Sequence, residues 1–135
     1  MCTLYSIINE DYLLRRFPII DNPIFVHFFK KIDGRYYPTS AAFKTKRDEN
    51  GLSINIKVLT LDINRFIGEL TSFRVAEFLA QIPIENNYEC RHDPYPAEDT
   101  QNGAHALILG DTKRIAKKLA KKSAPLDFER NAAGT

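Results

Sequence analysis

Residues 104–122 read AHALILGDTKRIAKKLAKK, and this stretch decides the fold class. AHALIL is apolar apart from His105, a continuity that suits a buried strand, and Gly110 breaks it. Asp111 is a favourable N-cap, and the helix read from it runs to about Lys122, ahead of Pro125. Within that helix Ile115 and Leu119 lie four apart, and Ala116 and Ala120 broaden their stripe. Lys113, Arg114, Lys117, Lys118, Lys121 and Lys122 occupy the remaining positions. Ala, Lys, Arg and Leu are strong helix formers, and cations near a helix C-terminus suit its dipole. A strand that feeds an amphipathic helix calls for both element types in one core.

Outward from this stretch the same logic repeats. LSINIKVL (52–59) alternates, with Leu52, Ile54, Ile56 and Val58 facing one way and Ser53, Asn55 and Lys57 the other, which predicts a half-buried strand. YECRH (88–92) predicts a short strand stopped by Asp93-Pro94, and 94–103 a surface loop. DINRFIGEL (62–70) predicts a short helix, with Ile63, Phe66, Ile67 and Leu70 on one face. FRVAEFLAQI (73–82) fits a helix by the spacing of Val75, Phe78, Leu79 and Ile82, and a strand by its residue types and Pro83. IFVHFFKKI (24–32) predicts a strand, Asp33-Gly34 a hairpin turn, and 35–37 a return strand that Pro38 interrupts. DYLLRRF (11–17) is a short strand or helical turn before Pro18, Asp21-Asn22-Pro23 is a turn, and TSAAF (39–43) stays open. KTKRDENG (44–51) is a charged connector ending in the turn dipeptide Asn50-Gly51. The expectation is an α+β protein, a single compact domain over 1–135, with 1–10 and 124–135 mobile. Its sheet is mixed or mainly antiparallel with about five strands, accompanied by two or three helices and a C-terminal basic helix.

At 135 residues the chain buries enough surface to fold without a metal or disulfide. No run approaches the roughly 18 apolar residues of a membrane span, and MCTLYSIINED lacks the pattern of a signal peptide. Two cysteines without a secretion signal point to a reducing cytoplasm, and with three histidines they show no zinc-type spacing, so neither metal nor cofactor is expected. Net charge is +2, but residues 113–122 hold six of the nineteen basic residues and no acid, which leaves thirteen basic against seventeen acidic residues elsewhere, a net of −4. A mildly acidic body with one concentrated basic element is unlike a uniformly basic nucleic-acid coat.

The basic helix is the first candidate site: it suits phosphate contacts on RNA or DNA, or an acidic protein partner, and competes with a merely solvated face. Its apolar stripe has no Phe or Trp, which argues against a membrane. The second candidate is the Arg91-His92-Asp93 turn with His105. If both strand ends meet, His92 and His105 act as acid and base on a phosphodiester and Arg91 holds the developing charge; alternatively Asp93 fixes the tautomer of a single histidine. The competing reading is a plain turn with hydrogen-bonded histidines. Arg15 and Arg16 point to opposite faces if extended, and the inward one is expected to pair with a structural acid. Thr39-Ser40 with Lys44 lacks any spacing specific to nucleophile chemistry and reads as a polar turn. Beside His27, the alternating pair Phe28 and Tyr36, or else Phe29 and Tyr37, whichever faces in, is read as core, against the reading in which exposed rings stack on bases.

DYLLRRF, TSAAFK, GLSI, HDPYP, AHALILG and KRIAKKLAKK occur in an order similar to that of a set of small bacterial proteins with a Leu-Arg-Arg element, a Ser-Ala-Ala-Phe segment, an Asp-Pro-x-Pro turn, a His-Ala strand and a Lys-Leu-Ala-rich end. The resemblance covers most of the chain, fits IFVHFFKKIDGRYYP least, and implies a bacterial single-domain protein without transferring an activity. The functional expectation is therefore a non-enzymatic binding or accessory module of a bacterial multi-protein system, engaging nucleic acid or an acidic protein surface through the basic helix. A small metal-independent nuclease or phosphotransfer enzyme using His92 and His105 is the alternative. A third reading is an interaction module that adds the edge of its 24–37 hairpin to a partner's sheet.

Overall fold

The structure, a computed structural model, describes residues 4–94 and 103–126. The body of the loop expected over 94–103, and the end of the chain from 127, lie outside the described residues. In chain order the regular elements are β1 (Tyr12–Pro18), β2 (Phe29–Ile32), β3 (Arg35–Pro38), β4 (Gly51–Ile56), α1 (Ile63–Ile67), β5 (Phe73–Leu79), α2 (Gln81–Glu85), β6 (Cys90–His92), β7 (His105–Leu109), α3 (Ala116–Lys122) and β8 (Ala124–Pro125). Six strands form one antiparallel sheet in the order β6-β7-β4-β1-β5-β8, and β2-β3 form a separate hairpin. The molecule is a single α+β domain.

Both faces of the sheet carry cover, and β1 shows why. Leu13 and Leu14 point to opposite faces and both are fully buried. The main core lies on the Leu13 face, where Phe17, Leu52, Ile54, Ile56, Phe78, Ala106 and Ile108 meet Ile115, Ala116 and Leu119 of the basic segment and Ala42 and Phe43 of a 3-10 turn over Ser40–Phe43. On the other face Leu14 and Val75 pack under Ile67 of α1, with Phe66, Leu70 and Phe73 around them. That second layer buries Asn55, which the alternation in 52–59 had assigned to solvent.

Several expectations are sharpened or corrected. The segment 73–82 is β5 followed by α2: pairing with all of β1, from Tyr12↔Leu79 to Pro18↔Phe73, holds 73–79 extended. The strand expected over 24–32 begins only at Phe29, because Asn22 accepts from the main-chain N–H groups of Ile24 and Phe25 and starts a coil that becomes a 3-10 turn at Val26–Phe28. With that turn the alternation fails, and Phe28, Phe29 and Tyr36 all pack against the main core. Asp33 and Gly34 close the hairpin with φ of 51° and 80°, the left-handed pair that a two-residue turn needs. The strand over 52–59 stops at Ile56, and the 3-10 turn Lys57–Leu59 leaves Val58 67% exposed. The single helix expected over 112–122 is a 3-10 turn, Thr112–Ile115, leading into α3. Asp111 caps it as expected, accepting from Lys113 N–H at 2.9 Å. Ala124 and Pro125, inside a stretch expected to be mobile, join the sheet edge against Glu77 and Ala76.

Candidate functional site

The basic segment is fixed from below by its apolar stripe and at its start by Thr112. That hydroxyl is fully buried, donates to the Phe43 carbonyl, and accepts from Thr45 N–H at 3.0 Å. Ile115, Ala116 and Leu119 face the core, so geometry forces all six cations, Lys113, Arg114, Lys117, Lys118, Lys121 and Lys122, to the exposed side. They are not equivalent. Arg114 donates to the Asn86 carbonyl at 2.8 Å, and its guanidinium carbon stands 5.0 Å from the Tyr88 ring centroid. Tyr88 in turn donates its hydroxyl hydrogen to the Asp111 carbonyl at 2.7 Å, so Arg114 staples this segment to the end of α2. Lys117 with Lys121 and Lys118 with Lys122 form two i,i+4 rows on α3, and among the described residues no acid pairs with any of the four. Lys118 and Lys122 border a cleft of about 610 Å³ that Tyr12, Glu77, Gln81 and Glu85 also line. Glu77 is held by Lys57 at 2.6 Å.

The histidines are not brought together. His92 stands opposite Ala106 in the β6–β7 ladder, and successive strand residues alternate faces, so His92 shares the core-side face with Ala106 while His105 points to the other. His92 Nδ1 accepts from Tyr5 N–H at 2.8 Å and its Nε2 lies 2.7 Å from the Gly103 carbonyl oxygen, to which it donates. Both ring nitrogens are thus spent tying the N-terminal segment to Gly103, two residues before β7. Arg91, exposed and paired with Glu89 at 2.8 Å, is on the His105 face but occupied at the strand edge. Two imidazoles on opposite sides of a sheet have no common substrate atom, so the acid–base pair of the nuclease reading is not assembled.

His105 has different company. Its Nδ1 lies 2.9 Å from the Asp93 main-chain oxygen and 3.6 Å from the Asp93 carboxylate. Its Nε2 lies 2.6 Å from Ser53 Oγ. Asp93 thus meets His105 through its main-chain oxygen, and the partner at Nε2 is a serine that strand alternation presented only as a solvent-side residue. Nothing in the local sequence marks Ser53, because it meets His105 through the β4–β7 register.

The other candidates resolve into structure. Arg15 takes the inward position, but it pairs with main-chain carbonyls rather than an acid: its Nε donates to Ala42 O at 2.7 Å and its Nη1 to Ser53 O at 2.8 Å. Burial pulls this guanidinium down to about 10, against the raising effect of Glu49, and it stays charged at neutral pH. Arg16 lies over the Phe73 ring at 4.4 Å. Thr39 donates its hydroxyl hydrogen to the His27 carbonyl, which holds the turn. Burial, helped by Glu89, pushes the Cys90 thiol up to about 12, so it is no nucleophile near neutrality. Among the described residues no group of three His, Cys, Asp or Glu side chains is placed to hold a metal, and no helix is long and apolar enough to cross a membrane. No protein-family model, curated protein or solved structure matches the chain.

Proposed function

We propose that the chain is a binding or accessory module whose α3 face docks a polyanionic partner, with single-stranded or duplex nucleic acid as the preferred occupant and an acidic protein surface as the competing one. The observation that supports it is the double row Lys117–Lys121 and Lys118–Lys122, exposed and unmatched by any acid among the described residues, on a chain whose remainder is net acidic. Structural cations are normally answered by a carboxylate or a carbonyl, as Arg15, Arg114 and Lys57 are here. Four point charges within about 7.5 Å of helix, at 1.5 Å per residue, offer adjacent contacts to phosphates and release counterions on binding. The reading includes a reducing bacterial cytoplasm, in keeping with the free Cys90 thiol and the resemblance of the short segments.

The test is binding of short mixed RNA and DNA over a salt series, for the wild-type chain and a Lys117→Gln/Lys118→Gln/Lys121→Gln/Lys122→Gln variant. Wild-type affinity is expected to fall steeply with salt, and the variant to lose up to about 3 in the log–log slope, at 0.7–0.9 per phosphate contact. Salt-sensitive binding to poly-glutamate with none to nucleic acid would assign the face to an acidic protein. Identical binding and slope in the variant would end the proposal.

A further inference from the structure

Ser53 and His105 stand on the sheet face away from α3, and this inference does not depend on the polyanion reading. The tautomer of His105 follows from its neighbours. The Asp93 main-chain oxygen, 2.9 Å from Nδ1, can only accept, so Nδ1 carries the hydrogen. In that tautomer Nε2 accepts the Ser53 hydroxyl hydrogen, at 2.6 Å from Oγ. The Asp93 carboxylate, 3.6 Å from Nδ1, faces the positive charge that the ring acquires on taking a proton. His105 is buried, Ser53 is only half-buried, and Leu107, directly opposite Ser53 in the ladder, puts an apolar side chain on the same face beside it.

We propose that Ser53 is a nucleophile and His105 its general base, forming an acyl-transfer site for small carboxylic esters, with Leu107 against the acyl chain. Ser53 Oγ forms a bond to the acyl carbon as its proton moves to His105 Nε2. The ester C–O bond breaks, and the leaving alkoxide takes that proton to depart as the alcohol. Water then attacks acyl-Ser53, passing a proton to Nε2 and releasing the carboxylic acid and free Ser53. The main-chain N–H groups of β4 lie in the plane of the sheet rather than over Ser53 Oγ, so preorganised oxyanion donors are not the source of rate here. Covalent capture is therefore a better readout than turnover.

The experiment treats the full chain, without any polyanion, with an alkyl fluorophosphonate and maps adducts by peptide mass spectrometry. Ser53 Oγ displaces fluoride from phosphorus, and His105 accepts the proton. The expected result is one adduct at Ser53, absent in Ser53→Ala and formed about a hundredfold more slowly in His105→Gln of unchanged circular dichroism. An unmodified Ser53 in folded wild-type protein after prolonged exposure would overturn the proposal whatever the variants do. So would an adduct formed equally fast in His105→Gln.

Discussion

Arg15 illustrates how one side chain substitutes for secondary structure. β1 and β4 share register only at Leu13↔Ile56 and Leu14↔Asn55. Beyond that point the strands part, and the Arg15 guanidinium donates to Ser53 O on one side and Ala42 O on the other. Replacing it by Met leaves two carbonyls without their donor, at about 1–3 kcal/mol each. Arg15→Met should therefore lower unfolding stability in urea by roughly 2–6 kcal/mol, and a loss under about half a kcal/mol would show that water readily replaces the guanidinium. The arginine pair at 15–16 was visible in the sequence as one inward and one outward residue. Its partners were not, since main-chain carbonyls carry no residue-type signature. The same limit hid Ser53, whose importance rests on a 2.6 Å contact with a residue 52 positions away.

At the scale of elements, the β4–β7 ladder sets both the core and the Ser53–His105 contact. Gly51 opens β4 opposite Leu109, and a Cβ placed there would lie 2.4 Å from the Ile108 carbonyl oxygen. Main chain cannot yield as a flexible side chain does, so Gly51→Ala should force the two strands apart at a cost of about 1–3 kcal/mol. Urea denaturation would register that loss, and equal midpoints for wild type and variant would show that the strand ends shift freely. Asn50-Gly51 was legible as a turn, but close backbone approach is a second demand on glycine that only the paired strand reveals. The 73–82 segment makes a parallel point. Its apolar spacing fits a helix, yet seven register pairs with β1 hold 73–79 in a strand, because ladder bonds and burial on both faces outweigh a few tenths of a kcal/mol of local preference.

Across the whole molecule the sheet separates two chemistries. The α3 face carries cations that no acid among the described residues matches, above the main core, and the opposite face carries Ser53, His105 and Leu107 at its β4–β7 end. With a sheet between them the two should act independently. The quadruple lysine variant is expected to keep wild-type labelling at Ser53, and a changed labelling rate would reveal coupling through the sheet. By itself the sequence determined the α+β class, the Asp33-Gly34 hairpin, the Asp111 cap and the concentration of charge on one helix face, because each rests on local periodicity, turn chemistry or composition. Only the tertiary structure decided that 73–79 is a strand, that Arg15 meets carbonyls, that His92 and His105 face opposite ways, and that His105 finds Ser53. These outcomes depend on strand register, and register is set by what the assembled core buries, at separations that no local pattern encodes.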